Sequence, residues 1–253
     1  MIAKGITVNL TCIVPARNEQ GHISDLIGEI LTIKQINEVI IVEGGSTDDT
    51  YNEAIRVAAK DSLKIKVMKQ LGTGKFNAVI QGASVAKNDV IIIWDADGTV
   101  PTESTQGLIE RHALSKNFTM GNRLFGSIEK GAMQRFNYLG NWLFALLWVP
   151  ITGRRPTDML CGTKIFKKST LNNIPNWLLK YDPYGDFALV ATTRSNGEKI
   201  DAFPVNYIKR TYGQTNINRW SGGLKLLLVT ILVYVWLGRV KLIRNLIRDD
   251  ETF

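Results

Sequence analysis

Cysteine and histidine are scarce in this 253-residue chain: Cys12, Cys161, His22 and His112 are all there are. Two cysteines exclude a disulfide scaffold and a cysteine-rich zinc module, and two histidines exclude a histidine-built metal centre. Any bound metal must therefore be held by oxygen, and these four residues are read as structural. Two glycine-rich phosphate signatures are also missing. No G-x-x-x-x-G-K-[ST] occurs, and no G-x-G-x-x-G follows the first apolar run, which counts against a P-loop enzyme and a dinucleotide redox fold. The apolar start is short and broken by Thr7, Asn9 and Thr11, so Met1–Glu19 is not expected to be a secretory signal, and the active domain is expected in the cytosol. Acidic residues are absent from Ala202 to Arg248, where eight basic ones stand: Lys209, Arg210, Arg219, Lys225, Arg239, Lys241, Arg244 and Arg248.

What is present is an ordinary globular composition, 45% hydrophobic and 21% charged. It suffices for a sizeable core. The net charge of +8 calls for an anionic partner, and its concentration beside tryptophan, leucine and valine favours an anionic bilayer surface over nucleic acid. Nucleic acid is not expected as a partner.

The first hundred residues alternate strand and helix patterns, the signature of parallel βαβ units. Strands are expected at Ile6–Val14 (ended by Pro15-Ala-Arg-Asn-Glu19), Glu38–Glu43, Leu63–Met68, Asp89–Trp94 and Phe118–Leu124. Helices are expected at Ser24–Ile33, from Thr47 to Lys60, from Lys75 to about Ala86, and at Ser104–Leu114. Phe136–Gly153 is an uncharged run of eighteen residues holding Asn137, Asn141 and Pro150, read as an interfacial or buried helix. Leu226–Leu237, at twelve residues, is expected to be too short to cross a hydrocarbon core of roughly 30 Å, which takes about 20 residues. One domain with a membrane-facing C-terminal part follows.

The chemistry concentrates on the loops after the strands. Trp94-Asp-Ala-Asp-Gly98 puts two carboxylates one residue apart just past a buried strand, at the sheet edge where α/β proteins bind ligands. Such a D-x-D pair suits a hard divalent cation bridged to a diphosphate, although Asp and Gly after a strand are also common turn formers. On the same edge lie Pro15-Ala-Arg-Asn-Glu19, Glu43-Gly-Gly-Ser-Thr-Asp48 and Gly72-Thr-Gly-Lys75. Glu43 can accept hydrogen bonds from a base or sugar, and Lys75 at a helix start can meet phosphate. Thr47 and Asp48 read equally as helix caps.

In order and spacing the segments VPARNE, VEGGSTDDT, GTGKFNAVIQG and DADG resemble the donor-binding half of family 2 glycosyltransferases of the GT-A fold. Gly121-Asn-Arg-Leu124, Asp158-Met-Leu-Cys-Gly-Thr-Lys164, Asp182-Pro-Tyr-Gly-Asp186 and Pro204-Val-Asn-Tyr-Ile-Lys-Arg-Thr-Tyr-Gly213 resemble the later motifs, the last being similar to the polyprenyl-phosphate, dolichyl-phosphate mannosyltransferase branch.

The resemblance implies an α/β GT-A fold: a Rossmann-like, mostly parallel sheet flanked by helices, followed by amphipathic membrane-facing helices. Residues 1–220 would form the glycosyltransferase domain, with 1–100 the nucleotide-sugar half and 101–220 the acceptor half. Residues 221–253 would form a basic membrane-associated tail. It assigns Pro15, Arg17, Glu19, Glu43 and Lys75 to the donor nucleotide. Asp95 and Asp97 take Mg²⁺ or Mn²⁺ and the diphosphate. Arg123, Arg135 and Arg210 take the diphosphate or an acceptor phosphate, surface salt bridges being the other reading of Arg123 and Arg135.

The implied reaction is inverting transfer from a nucleoside-diphosphate sugar to a membrane-associated acceptor, polyprenyl phosphate first and an envelope-polysaccharide hydroxyl second. A sugar-nucleotide pyrophosphorylase is the remaining alternative. A hydroxyl acceptor needs a general base, for which Asp186 is the first candidate and Asp158 the second; a helix N-terminal acid is the other reading of Asp186. The implied location is the cytoplasmic face of the membrane, with Trp142, Phe144 and Trp148 at the boundary and a homo-oligomer allowed. Two departures stand out. Glu43-Gly44 replaces the family's usual D-D-G-S start, leaving the base open, and Gly98-Thr99 after the D-x-D leaves the third metal ligand open.

Overall fold

The structure, a computed structural model, describes residues 8–153, 156–210 and 219–250, with the backbone alone for 219–221 and 242–250. Thr211–Gly213 and the side chains of Arg219, Trp220, Arg244 and Arg248 thus lie outside the described residues. Seven strands form one sheet: β1 (Leu10–Ala16), β2 (Ile36–Glu43), β3 (Ile65–Lys69), β4 (Val90–Ile93), β5 (Phe118–Asn122), β6 (Lys164–Lys167) and β7 (Ile200–Pro204). Their order is β3-β2-β1-β4-β6-β5-β7. All pairings are parallel except those of β6, which runs against both β4 and β5. That arrangement brings the carboxyl ends of six strands and the amino end of β6 to one edge.

The helices are α1 (Ile23–Thr32), α2 (Thr50–Ala58), α3 (Lys75–Ser84), α4 (Thr102–Ser115), α5 (Arg135–Leu147), α6 (Val149–Thr152), α7 (Asn176–Tyr181), α8 (Asp186–Ser195) and α9 (Arg219–Asp250). Strand side chains alternate between the sheet faces, so Ile13, Ile40, Val42, Ile91 and Ile93 fill one core with residues of α3, α5, α8 and α9. Cys12, Val14, Val39, Ile41 and Ile92 fill the other with residues of α1 and α4.

Three expectations need correction. Pro15 does not end the first strand; Pro15 and Ala16 still pair with Val42 and Glu43. Pairing between β1 and β4 stops at Ile13–Ile93, so proline's missing donor removes no ladder bond on that side. Phe144 and Trp148 are core residues instead of boundary residues, with ring centroids 5.4 and 4.6 Å from Phe187, and Trp148 Nε1 donates to Thr230 Oγ1 at 3.0 Å. The run from Phe136 bends at Trp148 into two helices, and its exposed large hydrophobic residues are Phe136, Tyr138, Leu139, Leu143 and Leu146.

The third correction concerns α9. Its stretch Gly222–Lys241 has 20 residues and a mean hydropathy of 1.8, long and apolar enough by length and composition to cross a membrane. The stretch runs past Lys225 and Arg239, whose long side chains let their charged heads reach water, to include Leu224 and Val240. Leu226, Val229 and Val233 on α9 nevertheless pack into the core. Truncating Trp148 to Ala is expected to cost about 3–5 kcal/mol and lower the melting temperature by roughly 10 °C, measurable by calorimetry.

Candidate active site

The loops after β1 and β2 are tied together before any ligand arrives. Asn18 has φ 56°, a left-handed conformation that asparagine tolerates, and its side-chain oxygen accepts from Thr47 N at 2.9 Å. Asn18 N donates to Ser46 Oγ at 3.0 Å and Glu19 N to Thr50 Oγ1 at 2.8 Å. Asp48 accepts from Thr50 N and Gln20 N, an Asx-type turn just before α2; the helix cap is Asp49, so neither Thr47 nor Asp48 is the capping residue. Glu43 is buried and accepts from Ser46 N. Gly44 approaches so closely that a β-carbon there would stand 3.0 Å from Gln70 Oε1. Pro15 is half-buried and Arg17 exposed on the same rim.

Asp95 and Asp97 follow β4 at the centre of this edge, both half-buried. Thr99 N and Oγ1 donate to Asp97 Oδ1 at 3.2 and 2.9 Å, fixing that carboxylate in an Asx-type turn. Asp97 Oδ2 lies 3.8 Å from the Arg210 guanidinium, which also donates to Glu19 Oε1 at 2.6 Å. Asp95 forms an ion pair with Lys75 at the start of α3. Burial alone would raise the Asp95 carboxyl, but the Lys75 ammonium outweighs it, helped by Lys164 and Arg123, and holds it below the usual carboxylate range. For Lys75 burial works toward a neutral amine, and Asp95 and Asp186 overcome it, so the lysine stays charged. Gly162 lies against this pair, and any β-carbon there would collide with Asp95 Oδ2 and Lys75 Nζ.

Glu19 behaves oppositely. Burial, opposed by Arg210 and reinforced by Asp97, pushes it from 4.5 up to about 7. A raised acid favours the folded state while protonated, so this contribution is full below pH 4.5 and is lost as the pH rises through about 7. Urea titrations in metal-free buffer should therefore show Glu19→Gln gaining on the wild type by on the order of 2 kcal/mol between those limits. A pH-independent difference would contradict this.

Just past β5, Arg123 forms a bidentate pair with Asp158, Nε to Oδ2 at 2.6 Å and an Nη to Oδ1 at 3.0 Å, with Asp158 fully buried. Arg123 also lies 5.0 Å over the Tyr207 ring. Both oxygens of Asp158 thus serve the arginine. Asp186 opens α8 and is held by the buried Lys164. Arg135, exposed at the first turn of α5, and Arg17 are the assigned cations for which no hydrogen bond or ion pair among the described residues reaches this cluster.

The motifs had left Asp182 without a role. It accepts from Gly185, Phe187 and Ala188 N at 3.1, 2.9 and 2.8 Å and so anchors the start of α8. Burial and the neighbouring Asp186 push it up to about 6. Its signal was the Asp-x-x-Gly-Asp spacing, with Gly185 at φ 79° where a side chain would strain the turn.

The D-x-D carboxylates fit a hard cation: oxygen donors, half-exposed, one of them oriented by Thr99, on an edge already crowded with lysine and arginine. No cluster of three His, Cys, Asp or Glu occurs among the described residues. Further ligands would then come from a bound diphosphate or water.

The sequence of residues 11–171 matches the description Glycosyl transferase family 2. The chain belongs to that family. Among relatives of this family 2 chain, glycosyltransferase AglJ of Haloferax volcanii is 27% identical over 84% of this chain and 68% of its own length. A dolichol-phosphate mannosyltransferase of Pyrococcus furiosus is 29% identical over 46% of this chain and 33% of its own. A poly-beta-1,6-N-acetyl-D-glucosamine synthase of Staphylococcus aureus is 32% identical over 69% and 42%. The family 2 chain thus spans well under half the length of the latter two. Its fold is that of glucosyl-3-phosphoglycerate synthase from Mycobacterium tuberculosis, solved with uridine diphosphate (TM-score 0.67, 18% identity, 89% of this chain and 80% of that one). A second structure of that enzyme holds Mn²⁺, UDP-glucose and phosphoglyceric acid (TM-score 0.65, 17% identity, 89% and 79%). The GT-A architecture implied by the motifs is therefore the observed one.

Proposed function

We propose that this chain moves a sugar, with inversion, from a nucleoside-diphosphate donor to a membrane-associated acceptor, polyprenyl phosphate being the acceptor its features fit best. The observation that carries the reading is the Asp95–Asp97 pair set among Lys75, Arg210 and Arg123 at the carboxyl edge of the sheet. The relatives acting on dolichol phosphate and on a polysaccharide, and the Mn²⁺ and UDP in structural neighbours, support it.

In the transfer the bond between the anomeric carbon and the diphosphate oxygen breaks, negative charge grows on the leaving group, and the acceptor oxygen attacks from the opposite face. Mg²⁺ or Mn²⁺ held by Asp95 and Asp97 would neutralise that charge when bound. Lys75 and Arg210, cationic and preplaced beside the carboxylates, add stabilisation that costs no reorganisation. Pro15, Arg17, Glu19 and Glu43 form the donor rim. Arg123, with Arg135 at the mouth of α5, receives the acceptor phosphate, which is nucleophilic without a base. A hydroxyl acceptor is the second reading, favoured by Asp186, a carboxylate opening α8 whose charge is felt by Lys75; Asp158, spent on Arg123, is the weaker base.

The exposed apolar residues of α5 and of α9 (Leu224, Leu228, Ile231 and Val235), flanked by Lys225, Arg239 and Lys241, suit a bilayer carrying anionic lipid at its cytoplasmic face. The test is transfer from radiolabelled nucleotide sugars to polyprenyl phosphate in vesicles, run beside a hydroxyl-terminated glycan, with and without Mn²⁺. Metal-dependent labelling of the lipid supports the reading, labelling of the glycan alone moves it to the second, and no labelling of either overturns it.

A further inference from the structure

One charged side chain in the second half of the domain has no role in the mechanism as described. Lys164 opens β6, is 0% exposed, and sits in register opposite Ile93, two residues before Asp95. A lysine is almost never fully buried unless its charge is matched. Here the ammonium donates to the carbonyls of Met159 and Cys161 and, at 2.5 Å, to Asp186 Oδ1. All three N–H groups have acceptors, so the head group has one direction in which to point. The two carbonyls belong to the loop whose Gly162 lies against Asp95 and Lys75. Asp186, in turn, sits at the first turn of α8, a helix otherwise packed on nearly every side and anchored by Asp182.

We propose that Lys164 is a positioning residue for sugar transfer: fixed by the Met159 and Cys161 carbonyls, its ammonium holds the Asp186 carboxylate at the edge of the D-x-D site. The inference rests on the second, hydroxyl-acceptor reading of the proposed function, in which Asp186 belongs to the reacting machinery. A buried apolar side chain of similar length would satisfy the packing but not the carboxylate, so charge and geometry, not volume, are what the position requires. Its sequence signal is the lysine closing Asp158-Met-Leu-Cys-Gly-Thr-Lys164, whose place in the motif gave no hint of what it touches.

The experiment is a double-mutant cycle on the full chain with Lys164→Met, Asp186→Asn and the pair, reading kcat, donor KM and melting temperature. We expect Lys164→Met to lower kcat at least 30-fold with donor KM within threefold, and the double variant to be no slower than Asp186→Asn alone. Should Lys164→Met not fold, the double variant, which leaves no unpaired buried charge, is compared with Asp186→Asn directly. Equal kcat supports the inference, and a further tenfold loss overturns it. A Lys164→Met enzyme within threefold of the wild type, beside a slow Asp186→Asn, overturns the inference while leaving the Asp186 reading intact. An Asp186→Asn enzyme as fast as the wild type removes that reading, and with it the inference.

Discussion

Replacing Asp97 with Ala is expected to lower kcat by at least about 10³-fold while leaving the fold intact, because the residue is half-exposed and, apart from the Arg210 guanidinium at 3.8 Å, bonds only to Thr99. The magnitude follows from the chemistry. A cation positioned at a departing diphosphate contributes several kcal/mol in a site of low polarity, and each 1.36 kcal/mol is about a factor of ten in rate. Asp95→Ala should behave similarly but with a second consequence, since Lys75 then loses its partner. Raising the Mn²⁺ concentration should recover part of the loss for either single variant and none for the double. Steady-state transfer kinetics over a metal titration measures all of this.

Arg123→Ala carries the largest expected effect on stability. The substitution strands the Asp158 carboxylate, which is fully buried and gives both oxygens to the arginine. Breaking a buried pair from one side costs about 3–5 kcal/mol, because the remaining charge keeps only backbone N–H donors, Leu160 N at 3.1 Å among them, in place of the guanidinium. For a chain of this size the melting temperature should fall by roughly 10 °C. Removing both partners with apolar groups, as in Arg123→Met/Asp158→Leu, should recover most of that loss while transfer to a phosphate acceptor stays impaired. Calorimetry and acceptor kinetics on the two variants separate the structural share of Arg123 from its share in acceptor binding.

The first half of the molecule was legible in the sequence for a physical reason. Strands buried on both faces read as unbroken apolar runs, each loop after them is polar and glycine-bearing, and the parallel register puts every such loop on one edge. The second half was harder. β6 (KIFK) and β7 (IDAFP) carry charged residues in place of an unbroken apolar run, and their antiparallel and edge pairings depend on contacts made far along the chain. The eighteen-residue run from Phe136 looked uniform because burial on one side and exposure on the other both recruit large apolar residues; the structure divides it at Trp148. Ion pairs such as Lys164–Asp186 and Arg210–Glu19 join residues 22 and 191 positions apart, and no local spacing announces them.

Manganese binding followed by electron paramagnetic resonance bears most directly on the role of the two aspartates. With uridine or guanosine diphosphate present, the wild-type protein should bind one Mn²⁺ whose signal changes when the nucleotide is added, and Asp97→Asn should lose that site while keeping its melting temperature. Nucleotide-dependent Mn²⁺ binding of unchanged affinity in Asp97→Asn would contradict the account.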